Sequence, residues 1–202
     1  KSYVEGGMSL CFYAARLVDD LHTAATPEEK QKTAELLDLL TPVVKAWPSE
    51  FGPKANDLAI QILGGSGYTR EYPVEQCWRD NRLNPIHEGT NGIQALDLMT
   101  RKLWKAQHSV SQQLIADLQP YLGKLQTLIP LIGSELRGEN QNALLANASC
   151  FLTIFGQIVV SWIWIRQAIT AEAALAKGQL PQDDEAFYRG KLQAAKYFID
   201  WE

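Results

Sequence analysis

The chain has 202 residues, 46% of them hydrophobic and 21% charged, with a net charge of -4. That length supports one large domain or two small ones, with enough chain to bury a substantial core without disulfides or metals. The negative charge and the absence of any Lys/Arg stripe argue against general nucleic-acid binding. Three cysteines (Cys11, Cys77 and Cys150) are widely separated and form neither a CxxC nor a metal-ligand spacing. They read as reduced, small, buried hydrophobes of a cytoplasmic protein.

The apolar period is helical almost throughout, with no internal repeat and no low-complexity tract. Val4, Met8, Cys11/Phe12, Ala15 and Val18 place one apolar stripe on a first helix that runs to about His22. "TPEEK" signals the next helix: Thr26 as N-cap, Pro27 at N1, and Glu29 closing a capping box. Thr41-Pro42 repeats the cap-and-proline signal, so a third helix is expected from Pro42 toward Leu63, kinked or delayed by Pro48 and Pro53. Gly64-Gly65-Ser66-Gly67 ends it, and a short helix follows from Pro73 to about Asp80. Gly89 leads into a helix carrying Ile93, Leu96, Leu98/Met99 and Leu103. A boundary falls near Ala106, dividing the chain into residues 1–105 and 106–202. Beyond it come helical segments from about Val110 to Leu136, Asn142 to Lys177 and Asp184 to Trp201, punctuated by Gly138 and "KGQLPQDD". No stretch alternates long enough to require a sheet, and the expected fold class is all-α, a helical bundle followed by a second bundle.

The run Ala148 to Ile165 has no charge over 18 residues. Its Ser, Thr, Gly and Gln interruptions and its charged flanks favour a buried bundle helix over a membrane span. Trp162, Ile163, Ile165 and Ile169 are accordingly expected to be buried.

Residues that could carry chemistry gather in "QILGGSGY" (Gln61 to Tyr68) and "IHEGTNGIQ" (Ile86 to Gln94). Glu88 has two readings: a carboxylate stabilising a helix N-terminus, or a general base whose pKa is raised by an apolar pocket. Gly89 beside it lets a substrate approach the backbone. Gly64, Gly65 and Gly67 either end a helix or admit a flat or phosphorylated group against the main chain. Arg70, Arg79 and Arg82 read as ion-pair partners of Glu71, Glu75 and Asp80. His87, adjacent to Glu88 on a helix, is expected to point away from it. His22 and His108 lack a second ligand at helical spacing, and no metal site is proposed.

The segment Gln61 to Gln94 resembles the signature of the acyl-CoA dehydrogenase family, in its C-terminal helical domain. The resemblance rests on Gln61, Gly64, Gly65, Gly67 and Tyr68; on Tyr72, Pro73 and Glu75; on Arg79 and Asp80; and on Ile86, Glu88, Gly89, Thr90, Ile93 and Gln94. It implies FAD as cofactor and an acyl-CoA thioester as substrate, with a base removing the α-proton while a β-hydride passes to the flavin. In that comparison Glu88 is the base. Gln61, Gly64 and Gly65 reach across a subunit interface to a neighbour's FAD pyrophosphate, and Thr90 approaches the adenosine side. A homo-oligomer and an electron-transferring flavoprotein as acceptor are implied with them. Two positions depart from the pattern: Gly92 stands where a side-chain amide is common, and His87 where Tyr is common. The resemblance further implies a large bacterial-type member, residues from about Ala106 to Glu202 being its C-terminal extension. It also implies that the chain begins near the second helix of the domain, without the flavin-binding β-domain and first bundle helix, and is inactive by itself. The competing reading is a non-catalytic helical interaction module that keeps the signature as scaffold.

Overall fold

Two glycines decide how the first helix packs. The computed structural model describes residues 1–103, 141–178 and 180–201. Helix α1 spans Ser2–Thr23 and buries Gly6, Gly7, Leu10, Ala14 and Leu17. The stripe expected to face the core faces outward instead: Val4, Met8, Phe12 and Val18 are all exposed. The reason is indole packing. A Cβ at Gly6 would lie 2.8 Å from Trp164 Nε1, and one at Gly7 would lie 3.3 Å from the Trp47 ring. The bare backbone is the face that two tryptophans can approach.

Helix α2 begins as expected. The Thr26 hydroxyl accepts from the Glu29 N–H at 3.2 Å, and the Glu29 carboxylate accepts from the Thr26 N–H at 3.3 Å. It does not stop at Thr41. One helix runs Pro27–Leu63, through Pro42, Pro48 and Pro53. Each proline removes a helical hydrogen bond. A break, however, would turn Leu39, Leu40, Val43, Ala46, Trp47 and Phe51 out of register, and all six are buried. Burying each large apolar side chain contributes about 1.5–3 kcal/mol, enough together to carry the helix through its interruptions.

Three shorter helices follow: α3 (Gly65–Tyr68), α4 (Val74–Asn81) and α5 (Asn91–Asp97). Helix α5 widens into a π-turn at Leu98–Lys102. That turn keeps Leu98 and Met99 in the core and pairs Lys102 with Asp38 of α2. Ile93 and Leu96, apolar residues of the same helix, are exposed.

Helices α6 (Gln141–Leu145) and α7 (Ala148–Ala176) replace the single expected helix. They part at Asn147, whose side-chain amide bonds back to the Ala143 carbonyl at 3.2 Å and offers the chain an alternative to the helical ladder. Gly178, with φ of 64°, ends the stretch, and α8 runs Gln182–Trp201. The expected boundary at Ala106, the helix from Val110 to Leu136, and Gly138 lie outside the described residues.

The described residues form helices and turns with no strand, so the fold is all-α. One buried cluster joins α1, α2, α5, α7 and α8. At its centre Trp47 stacks on Phe51 with ring centroids 4.4 Å apart, and donates its indole N–H to Gln157 Oε1 at 3.1 Å. A Cβ at Gly156 would meet the same indole at 2.8 Å. Helix α7 is long and apolar enough to cross a membrane, yet half of its most apolar window is buried inside the fold. Trp162 and Ile163 are buried as expected, Ile165 is half-buried, and Ile169 is 61% exposed. The last departs from expectation because it follows Arg166 onto the outer face.

Candidate active site

Helix α2 needs a left-handed residue to end, and Gly64 supplies it with φ of 59°. The Gly64 N–H returns to the Gln61 carbonyl at 3.2 Å. Gly67 has a local reason: a Cβ there would sit 2.6 Å from the Ile60 carbonyl oxygen. Gly65 has none among the described residues, where a Cβ would meet nothing within 4 Å. Gln61, Gly64 and Gly65 form an exposed, bare backbone edge at the end of α2.

Between α4 and α5 the chain makes a loop tied at both ends. The Asn91 N–H donates to the Pro85 carbonyl at 3.1 Å. Thr90 is the N-cap of α5, accepting from the Ile93 N–H at 3.3 Å. Glu88 therefore lies in the loop before the cap, and not at a helix start. It is the only non-glycine with positive φ among the described residues, at 54°, and Gly89 follows at 84°. A Cβ at Gly89 would come within 2.9 Å of Gln94 Nε2.

This backbone changes the relation between His87 and Glu88. Off the helix, adjacent side chains can converge, and His87 Nδ1 lies 3.8 Å from Glu88 Oε2. Asparagines hold the ring. Asn81 donates to Asn56 at 2.9 Å, and Asn84 donates to Asn81 at 2.6 Å. The remaining Asn84 oxygen lies 3.1 Å from His87 Nε2. An oxygen can only accept, which places the neutral ring's hydrogen on Nε2 and leaves Nδ1 facing the carboxylate.

Glu88 and His87 border a groove of about 510 Å³ between α1, α2 and the loop. Val4, Met8 and Cys11 of α1 form one wall, and Pro48, Ser49 and Gly52 of α2 form part of the other. The N-terminal half of the outward stripe of α1 thus has a use: Val4 and Met8 line this groove, whereas Phe12 and Val18 do not. The Glu88 side chain is 85% exposed, so the described residues do not supply the apolar enclosure expected around a base. Gln61, Gly64, Gly65, Gly89 and Thr90 lie outside the lining, and the glycine edge and the carboxylate form two separate features.

Lys45, Ser49, Asn84 and Asn91 were not singled out by sequence. Lys45 Nζ donates to the Asn84 carbonyl at 2.9 Å and to Asn91 Oδ1 at 3.2 Å. Ser49, buried in α2, stands 2.9 Å from the same Asn91 oxygen. Partial burial pulls the Lys45 ammonium below its ordinary pKa, and the charge of Glu88 acts in the opposite direction. The one available signal was a lone cation in the apolar run "PVVKAW". The expected pairs of Arg70, Arg79 and Arg82 do not form among the described residues; Asp80 accepts from Gln76 instead, at 2.8 Å. All three arginines are exposed, where an ion pair contributes little. The cysteines too are exposed, against expectation. Partial burial pushes the Cys11 thiol up.

Comparison with known proteins places these features in a family. Residues 4–103 match the model "Acyl-CoA dehydrogenase, C-terminal domain", and residues 92–202 match "Acetyl-CoA dehydrogenase C-terminal like". A broad-specificity linear acyl-CoA dehydrogenase of Mycobacterium tuberculosis, FadE5, is 30% identical over 98% of the chain and 36% of its own length. A 3-methylmercaptopropionyl-CoA dehydrogenase of Ruegeria pomeroyi is 28% identical with the same coverage. The chain therefore spans little more than a third of the relatives it matches. A crystal structure of an acyl-CoA dehydrogenase complexed with FAD from Bacillus anthracis shares the fold, with a TM-score of 0.57 at 20% identity, over 98% of this chain and 37% of that one. The chain belongs to the acyl-CoA dehydrogenase family.

Proposed function

We propose that this chain is the C-terminal part of an FAD-dependent acyl-CoA dehydrogenase in which Glu88 abstracts the α-proton of an acyl-CoA, giving a trans-2-enoyl-CoA. The observation that carries the reading is a carboxylate raised on two consecutive left-handed residues over a groove walled by Val4, Met8 and Pro48. Strained non-glycine backbone persists where surrounding structure over-determines it, and such places cluster at active sites. The family membership supports the same assignment.

Glu88 receives the α-proton on a carboxylate oxygen. That proton is a far weaker acid than a solvated carboxylic acid, so the base needs water excluded and the thioester oxygen stabilised when substrate is bound. With Glu88 largely exposed among the described residues, both come from the substrate and from parts of the protein outside them. The acyl chain lies along the α1 wall, and Gly89 keeps the backbone next to the base free of a side chain.

FAD supplies the hydride acceptor when bound. Gln61, Gly64 and Gly65 fit a contribution at its edge: their backbone is exposed, and the space beside both glycines is open. The family resemblance implies that this edge serves a cofactor held mainly by another subunit, and a homo-oligomer with it. Thr90, already spent in part on capping α5, approaches the adenosine end. The electron acceptor is an electron-transferring flavoprotein, and the protein works in the cytoplasm. Residues 1–105 and 106–202 form the dehydrogenase helical domain and its extension; the two family matches, 4–103 and 92–202, overlap at 92–103.

In the full-length protein, Glu88→Gln is expected to retain FAD and lose at least about 10³-fold in turnover, as when a positioned base is removed. Near-parental turnover would show that Glu88 is not the base, and a full-length protein that binds no FAD and turns over no acyl-CoA would be the non-catalytic module. The 202-residue chain alone is expected to be colourless after dialysis, because an open edge offers too few contacts to offset the cost of association. A persistent flavin absorption band in that sample would overturn the edge assignment.

A further inference from the structure

We propose that Lys45 is the positioning residue for Glu88, its ammonium pinning both ends of the loop that carries the carboxylate. The inference rests on Glu88 being the base. Lys45 sits on α2 between Val44 and Ala46, and it has no carboxylate partner within ion-pair distance among the described residues. Its acceptors are instead the Asn84 carbonyl, at 2.9 Å, and Asn91 Oδ1, at 3.2 Å. One acceptor lies four residues before Glu88 and the other three residues after it.

The second anchor is itself fixed. Asn91 Oδ1 stands 2.9 Å from Ser49 Oγ, its amide nitrogen 3.4 Å from the Ala46 carbonyl, and its backbone N–H 3.1 Å from the Pro85 carbonyl. Both ends of the loop are thereby tied to one turn of α2. Glu88 and Gly89 occupy left-handed backbone in succession, which a free loop would not hold. A tethered pair of ends is what keeps such a turn in one conformation. An ammonium is well suited to tethering, because its three donors serve two acceptors at different angles and its charge also faces Glu88. A base misplaced by about 1 Å can lose about 10²-fold in rate, so the tether belongs to the chemistry as much as to the fold.

The test uses the full-length protein. Lys45→Met is expected to lower kcat roughly 10–100-fold, with KM and bound FAD within about twofold of the parent. Lys45→Arg, which keeps a cation and its donors, should recover most of that loss. Hydrogen–deuterium exchange across residues 84–91 should accelerate in Lys45→Met and not in Lys45→Arg. Parent-like kcat in Lys45→Met beside an inactive Glu88→Gln overturns the proposal. A fall in kcat with unchanged exchange overturns it too, since Lys45 would then act by charge without pinning. If Glu88→Gln stays active, the base assignment fails instead, and the exchange measurement alone decides whether Lys45 holds the loop. Should Lys45→Met not fold, Lys45→Gln is read against the same outcomes.

Discussion

Trp47 is held between two absences. Gly7 of α1 and Gly156 of α7 leave the room its indole fills, and Gln157 takes its N–H. Gly156→Ala would put a methyl 2.8 Å from the ring in a packed core. The expected loss is about 1–3 kcal/mol, seen as a lowered urea midpoint with unchanged slope. Glu5 gives a pH-dependent counterpart. Burial would raise its carboxyl, but the hydrogen bond and charge of Lys191, with Lys1 adding to them, hold it below its ordinary value of 4.5. A carboxylate with a depressed folded-state pKa stabilises above its unfolded value, and that contribution fades as pH falls through the folded one. Glu5→Gln should therefore destabilise by about 1 kcal/mol or less at pH 7, and by progressively less as pH falls below 4.5 and through the lowered folded-state value, in paired urea titrations. None of these contacts could be read from sequence. A glycine in a helix reads as a weakness, and only the indole opposite reveals its purpose. Glu88 stood out as a candidate because its neighbours form a dense signature. Lys45 was not, because its partners lie on a loop whose fold the sequence does not disclose.

Helix ends were legible where local chemistry is self-contained. Thr26, Pro27 and Glu29 specify a start that needs nothing from elsewhere, and the capping box forms as expected. Thr26→Ala should remove about 1 kcal/mol of stability, measurable as a fall in the thermal midpoint. Thr41 and Pro42 carry the same signal and fail, because there the helix is sandwiched and its register is set by the buried side chains on either side. Asn147 shows the converse, a break without glycine or proline, made by one amide turning back. The direction of α1 was missed for a related reason. Val4 and Met8 line a groove, while Gly6, Gly7, Leu10, Ala14 and Leu17 meet the core. Helix α7 has the composition of a membrane span and the surroundings of a core element. At physiological salt the chain should stay in solution in a liposome flotation assay; robust co-flotation would show that Ile169 and the outer face of α7 engage lipid.

The two family modules share one core. Leu39, Val43 and Trp47 lie in the same buried cluster as Phe155, Val159, Trp164 and Phe198. A chain built so should unfold as a unit, with a single calorimetric transition whose van't Hoff and calorimetric enthalpies agree. Two resolved transitions would show that the extension is energetically separate. Phe198→Ala, fully buried on the last helix, should cost about 3–5 kcal/mol and lower that one transition as a whole.

The bond between Trp47 and Gln157 spans 110 residues of sequence. During synthesis the first partner leaves the ribosome well before the second exists. At about 5–20 residues per second that interval is roughly 5–20 s, not counting passage through the exit tunnel. Throughout it α1 and α2 can pair, but the indole face that α7 later covers stays open to solvent. The nascent chain is thus most vulnerable to aggregation at an intermediate length, and slow codons placed between the two residues would prolong that exposure.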